Sequence, residues 1–341
     1  QDVPRRDDAY VELNNAYGAL NTWRTTVKGG TGLLNNKFSI DSRLSYINSD
    51  GYMASANSDV KSGFVSGAYH GAKSLLRANV FFGAEKTNEI WGDISSNSNE
   101  LAANRMNNQF TYNGQTDNYA QSHYQVLYGY SFSKRASLST AVHYSRARGF
   151  YEENPFGKQV FADYNLASTG DGSIIRRRSL DTEFYGAATA LTLAANNSLA
   201  YTVGASYGRY KGSHFGDVLC AQGLAIAKPS RYTNDDAYKS VYAAFGNANY
   251  KLGKLTIAAE LQYRRVNYQF DGSNGAVIGD VQQQTQINAL NPRIEFNYKL
   301  AAKAQLIASA AVSTMEPRRE HYVNSTPDNR PQPQRLSNLR I

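Results

Sequence analysis

Residues 124–150 read YQVLYGYSFSKRASLSTAVHYSRARGF, and the alternation in this stretch decides the fold. Tyr124, Val126, Tyr128, Tyr130 and Phe132 fall on one side of an extended chain, while Gln125, Gly129, Ser131 and the preceding His123 fall on the other, because successive side chains of a strand point to opposite faces. After Lys134-Arg135 the pattern restarts, with Leu138, Thr140, Val142 and Tyr144 alternating with Ser139, Ala141, His143 and Ser145. Two such runs around a short polar break predict a β-hairpin. The polar face carries Ser, Ala, Gly, Gln and His rather than the Lys and Glu that face bulk water, which points to an enclosed polar side.

The same unit recurs along the chain. Short turns are expected at Asn35-Asn36, Gly71 to Lys73, Lys134-Arg135, Asn196-Asn197, Leu252 to Lys254 and Ala301 to Lys303. Between these hairpins lie longer polar connections, near residues 51–58, 87–118, 152–182, 211–237, 271–285 and 316–335. A meander with tight turns at one end and long loops at the other is the pattern of outer-membrane barrels. Leu255, Ile257, Ala259, Leu261 and Tyr263 alternate with Thr256, Ala258, Glu260, Gln262 and Arg264, so charge sits on one face only. The alternation predicts an all-β chain: an antiparallel, up-and-down transmembrane β-barrel wall of about 13 strands, with a fourteenth beginning near the C-terminus.

Composition agrees and excludes several classes. The 341 residues include 25 Tyr and 27 Gly but 8 Pro and 3 Met, and no stretch approaches the roughly 20 apolar residues of a membrane helix. The net charge of +8 suits nucleic acid, anionic lipid or an anionic ligand. The basic residues are scattered rather than gathered into a stripe with interleaved aromatics, so nucleic acid is not an expected partner. Cys220 is the only cysteine, which leaves no intrachain disulfide and no cysteine-rich metal site. The first residues, QDVPRRDD, have no apolar core and are not a signal peptide, and the last ones, QPQRLSNLRI, open a new alternating run. Both ends are read as truncations.

At residues 31–52, TGLLNNKFSIDSRLSYINSDGY, the chain resembles the early barrel of TonB-dependent receptors of Bacteroidetes-type bacteria. The stretches NTWRTTVKGGTGLLNNKF, VFFGAEKTNEIWGDI, QTDNYAQSHYQVLYGYSFS, HYSRARGFYEE and EPRREHY follow in that family's order. The resemblance implies a barrel of about 22 strands in the whole protein, of which about 13–14 are here, preceded by a plug domain and a segment that contacts the TonB complex. It also implies outer-membrane lipid and lipopolysaccharide around the wall. The function it implies is energy-dependent uptake of a scarce nutrient, first of all a ferric chelate (siderophore), with a corrinoid or glycan also open. A passive porin or adhesin and a soluble β-sandwich binding module are the alternatives from other classes.

Several side chains are candidates for binding. Arg176, Arg177 and Arg178 fall in an expected outward connection and could trap an anionic chelate, since guanidinium groups bind carboxylate and phosphate through paired hydrogen bonds. Lipopolysaccharide contact or plain solvation would explain the same run. Arg105 and Arg231 belong to the same outward set, and Arg146 and Arg148 are assigned to a lumen or rim position, with pairing to Glu152 and Glu153 as the alternative. Asp41, Arg43, Arg77, Glu85, His123, Glu260, Arg264, Arg293 and Glu295 are expected to face the lumen and to form pairs across the wall and with the plug. No metal-ligand spacing, cofactor motif, phosphate loop or nucleophile-base pattern stands out, so neither cofactor nor enzyme activity is expected.

Overall fold

The computed structural model describes residues 7–88, 115–155, 157–274, 280–323, 325 and 329–340. Its strands are β1 (Tyr10–Gly18), β2 (Thr22–Gly30), β3 (Phe38–Ser49), β4 (Ser58–His70), β5 (Ser74–Thr87), β6 (Asp117–Ser133) and β7 (Ala136–Glu153), then a small pair β8 (Gln159–Val160) and β9 (Asp171–Gly172). The wall resumes with β10 (Ile174–Ala194), β11 (Leu199–Ala221), β12 (Ser230–Leu252), β13 (Leu255–Asn274), β14 (Asp280–Ala301), β15 (Ala304–Met315) and β16 (Gln334–Arg340). Apart from β8 and β9 they form one 14-stranded sheet in chain order, every neighbour antiparallel. No pairing joins β1 to β16 among the described residues. The expected count and meander therefore stand.

The tight turns follow from local chemistry. Asn35 and Asn36 both adopt positive φ, 48° and 56°, the left-handed geometry that lets a short turn match the twist of flanking strands and that Asn tolerates better than most residues. At the opposite end, Leu20 and Asn21 (φ 60° and 52°) close β1 onto β2 just as tightly, so that end is not made of long loops throughout.

Cross-strand register carries one apolar face around the sheet. Its loop-end margin is a tyrosine row: Tyr124 opposes Tyr144 and Tyr144 opposes Tyr185, while Tyr207 opposes Tyr242. Ring centroids lie 6.1 Å apart for Tyr124–Tyr144 and 5.1 Å apart for Tyr207–Tyr242. The turn-end margin is a second row, with Phe38–Tyr69 at 5.2 Å and Tyr130–Phe132 at 4.9 Å. Between the rows the side chains of Val126, Val203, Leu261 and Leu290 lie exposed. A strand such as β6 takes eight residue steps from Tyr124 to Phe132, about 26 Å at a rise of ~3.3 Å per residue. That is close to the ~25 Å apolar band of a membrane barrel with its two aromatic girdles.

Beyond the tyrosine row the strands continue. β11 and β12 are each 23 residues long, about twice the ~9–11 needed to cross a bilayer. This corrects the expected connections at 152–182, 211–237 and 271–285: the loops shrink because β7 runs to Glu153, β10 starts at Ile174, β11 runs to Ala221 and β13 runs to Asn274. Above the apolar band both faces meet water, so the ladder persists while the apolar alternation that marks a strand disappears. The dense packing lies there too, in a cluster of Phe161, Tyr164, Ile174, Val218, Ala221 and Tyr232 and a second of Ala237, Phe270 and Tyr322.

Two adjacent alanines test the face assignment. Ala259 sits mid-band on the apolar face, opposite Ile294, whereas Ala258 opposes Glu295 on the polar face. Ala259→Arg should cost about 2–4 kcal/mol, the toll of a guanidinium near the bilayer midplane, and Ala258→Arg about 1 kcal/mol or less. Denaturant titration of the lipid-embedded protein reads the difference.

Candidate functional site

The arginine run is part of β10, not of a loop, and its residues alternate between faces. Arg176 opposes Glu153, Arg177 opposes Glu152 and Arg178 opposes Tyr151. Arg176 donates from Nε to Glu153 at 2.7 Å and from Nη1 to the Tyr164 hydroxyl at 2.9 Å. Arg177 donates to the buried Glu152 at 2.8 Å and lies over the Phe150 ring at 4.2 Å. The carboxylates foreseen as partners of Arg146 and Arg148 are thus taken by Arg176 and Arg177. Arg178 alone of the three has no carboxylate within ion-pair distance among the described residues; its guanidinium lies 5.9 Å from the Tyr151 ring centroid.

Arg146 and Arg148 share the face of Tyr144, which places them outside the wall, above the tyrosine row, and not in the lumen. Arg146 pairs with Asp181 at 2.9 Å and approaches Glu183 at 3.8 Å. The sequence error was one of phase, since counting by twos from Tyr144 puts both arginines on the apolar side. Arg231 pairs with Asp217 at 2.6 Å. Arg105 lies outside the described residues.

By register the residues expected to face the lumen lie on the polar face of the sheet. Asp41 accepts from the Tyr10 hydroxyl at 3.0 Å, and Arg43 lies on the same face of β3. Arg77 and Glu85 share a face of β5 with Phe81, on which the His123 ring stacks at 4.5 Å. His123 Nδ1 is 2.7 Å from Ser145 Oγ. Arg293 pairs along its own strand with Glu295 at 2.8 Å, and Glu260 opposes Arg293 across β13 and β14. Arg264 reaches Glu316 at 3.1 Å, in the connection beyond β15. These residues line the wall but do not converge on one point.

What does converge is a strap. The stretch EPRREHY, residues 316–322, folds into the short helix α1 (Arg319–Val323) and is tied to the polar face. Glu316 binds Lys239 of β12 and Arg264 of β13. Arg319 is paired with Asp235, whose side chain is only 6 % exposed. Tyr322 is buried against Ala237 and Phe270, its ring 4.5 Å from that of Tyr268. Buried Gln283 donates to the Tyr322 carbonyl at 3.0 Å and to Ser325 Oγ at 2.8 Å.

The strap divides two hollows on the polar face. On its loop side a cavity of about 320 Å³ is lined by Glu85, Tyr119, Tyr151, Arg178, His214 and Arg319. Toward the membrane band a larger one, about 780 Å³, is lined by Tyr210, Lys239, Arg264, Tyr268 and Tyr322. Burial, together with the Arg319 and Arg178 charges, pushes the His214 pKa down to about 4, so its imidazole is neutral near pH 7. Burial raises the Asp235 pKa in spite of Arg319. The loop-side cavity thus offers tyrosine hydroxyls, a neutral imidazole, the Glu85 and Asp117 carboxylates and one guanidinium not matched to a carboxylate. Among the described residues no group of three or more His, Cys, Asp or Glu could hold a metal ion. The strap's ties are not legible in the sequence, because 211–237 and 316–335 carry no apolar alternation and Arg319 and Asp235 lie far apart in the chain.

Removing either partner of the Arg319–Asp235 pair should loosen the strap. Charge-assisted hydrogen bonds contribute about 1.5–3 kcal/mol, so Arg319→Ala and Asp235→Ala should each speed amide exchange across 317–325 by at least about tenfold, with the double variant little worse than either single one. Because the Asp235 pKa is raised, acidification should protonate it, and release Arg319, at a higher pH than for an ordinary aspartate.

No family model matches the sequence, and no curated protein matches it. Solved structures do. The ferric-catecholate import receptor Fiu from E. coli K12, in its closed form, is 12 % identical, with a TM-score of 0.75 over 98 % of this chain and 55 % of its own. The ferric citrate transporter FecA without ligand is 12 % identical, with a TM-score of 0.72 over 92 % of this chain and 45 % of its own. The copper transporter OprC is 12 % identical, with a TM-score of 0.72 over 99 % of this chain and 52 % of its own. The chain therefore spans about half the length of the solved chains it matches. The apolar band, the meander and these likenesses give it the barrel fold of TonB-dependent outer-membrane receptors.

Proposed function

We propose that the chain is the wall of a TonB-dependent outer-membrane importer, and that its cargo is a metal complex, first of all a ferric chelate. The fold likeness supports the importer, since proteins of this shape include a ferric citrate transporter, a ferric-catecholate import receptor and a copper transporter. The whole protein would then carry about 22 strands, a plug in the lumen and a segment that engages the TonB complex. The observation that carries the cargo reading is the strapped vestibule, where Arg178 stands unmatched beside Tyr119 and Tyr151. An anionic chelate would find there a guanidinium, two hydroxyls and an aromatic rim, and would have to sit on the Arg178 side, away from the Glu85 and Asp117 carboxylates of the same lining.

One observation favours a second reading. Arg146, Arg176, Arg177, Arg231 and Arg319 are each matched to a carboxylate, which weakens the positive field expected of the outer rim. The 780 Å³ hollow is rich in tyrosine. A neutral glycan or a corrinoid would suit that hollow.

Arg178→Gln in the protein expressed from its full gene separates the two. Loss of a charge-assisted contact of about 1.5–3 kcal/mol should weaken binding of an anionic ferric chelate by about 10- to 100-fold, most visibly at low salt, where exposed charge is least screened. Unchanged chelate binding, with glycan or corrinoid binding lost in Tyr268→Ala, would install the second reading. Depletion of TonB should abolish uptake while leaving binding intact; uptake that survives would make the barrel a passive porin.

A further inference from the structure

The 780 Å³ hollow beside the strap has a lining dominated by one sign of charge. Lys239, Arg264, Arg318 and Arg319 line it, and Glu316 is the one carboxylate among its described lining residues. Arg319 is paired with Asp235, and Arg318 lies 3.6 Å from Glu320. Lys239 and Arg264 differ from these two. Both belong to the wall, on β12 and β13, and both bind the same oxygen, Oε1 of Glu316, with Arg264 at 3.1 Å. They rise from different levels, since Lys239 opposes Tyr268 whereas Arg264 opposes Ala243. Two long cationic side chains thus close from two heights on one point of the hollow.

The neighbouring strands supply no acidic partner for that point. By register Lys239 lies between Tyr210 and Tyr268, and Arg264 between Ala243 and Ala289. The counter-charge comes instead from the strap's first residue, which directly follows Met315 at the end of β15 and is partly exposed. A partly exposed pair of this kind is weak, and a side chain at the root of a connection can turn away while the strand below it stays laddered. Glu316 therefore fills an anion site that paired strands build and a movable residue occupies. Tyr210, Tyr268 and Phe184 share the lining, so an anion arriving there meets two cations among aromatic rings.

We propose that Lys239 and Arg264 form a second anion-binding station, that its ligand is a carboxylate group of the cargo, and that Glu316 is a tethered stand-in which the cargo displaces. The station goes beyond the Arg178 contact, and it rests on the reading of the cargo as an anionic chelate. Its specificity comes from what must be replaced. A neutral molecule entering the hollow leaves Glu316 on its two cations, whereas an anion takes both of them over and frees the root of the strap.

The test uses the protein from its full gene, purified in detergent, with citrate and ferric citrate as probes. A spin label at Glu320→Cys, in a Cys220→Ser background, reports the mobility of the strap. E316Q keeps the shape and removes the charge, so it should bind citrate about three- to tenfold more tightly than the wild type. E316D, which keeps the charge, should stay closer to the wild type. K239Q/R264Q should bind citrate at least about tenfold more weakly, and adding E316Q to that pair should restore nothing. Saturating citrate should raise the label's mobility in the wild type to the level that E316Q shows without ligand. No gain of affinity in E316Q, whether both proteins bind or neither does, would overturn the proposal. So would citrate binding that survives K239Q/R264Q, or binding that leaves the label unmoved. Citrate held through Lys239 and Arg264 by a protein that neither binds nor imports ferric citrate or a ferric catecholate would keep the station and sink the ferric-chelate reading instead, an outcome distinct from the others.

Discussion

Hydrocarbon offers a backbone no hydrogen-bond partner, and this constraint orders everything else in the chain. Each amide crossing the bilayer must be satisfied by a neighbouring strand, which is why consecutive strands pair with one another all along the wall and why the cheapest connection at the turn end is a hairpin of two or three residues. Alternation is the second consequence. A strand with lipid on one side and water on the other must place apolar residues at every second position, and a one-residue slip would turn the whole set to the wrong side. Tyr124, Val126, Tyr128, Tyr130 and Phe132 hold β6 in register in this way.

The same physics explains how far the sequence could be read. Where one face is lipid, periodicity of two is strong: the turns at Asn35-Asn36, Lys134-Arg135 and Asn196-Asn197, the strand count and the polar-face placement of Asp41, Glu85, Arg264 and Arg293 were all legible. Above the tyrosine row the contrast vanishes, because Arg177 and Arg178 both meet water on opposite sides of one strand. A run such as IIRRRSLDTE then looks like a loop although it is laddered on both edges. The strap was hidden for a different reason. Its ties join Arg319 to Asp235 and Tyr322 to Tyr268, pairs far apart in sequence that no local pattern announces.

Charge placement in the tall half is mostly a matter of neutralisation. Arg176 and Arg177 face Glu153 and Glu152 across one ladder, and because the two carboxylates are well shielded these pairs are less screened than most surface ion pairs. They fasten β7 to β10 where no lipid presses the strands together. Their recognition value is correspondingly small, since a guanidinium already held by a carboxylate has less to offer a ligand. On the proposed function, the guanidinium left to a ligand in the strapped cavity is that of Arg178, which has no carboxylate within ion-pair distance among the described residues.

The strap is held more lightly than the wall, and the magnitudes show by how much. Glu316, Lys239 and Arg264 are each about a quarter exposed at their side chains (25 %, 27 % and 28 %), so their pairs fall toward the surface regime of about 0–1 kcal/mol each. The Arg319–Asp235 pair is better shielded, but burial raises the Asp235 pKa and so offsets part of its attraction. Burying the Tyr322 ring contributes on the order of 2 kcal/mol. These ties are few and partly exposed, whereas the wall beneath has backbone bonds that cannot be exchanged for water. On the proposed function, a ligand entering the cavity beside the strap would compete with the strap and not with the wall, and it could shift the strap only by as much as it binds one arrangement better than the other.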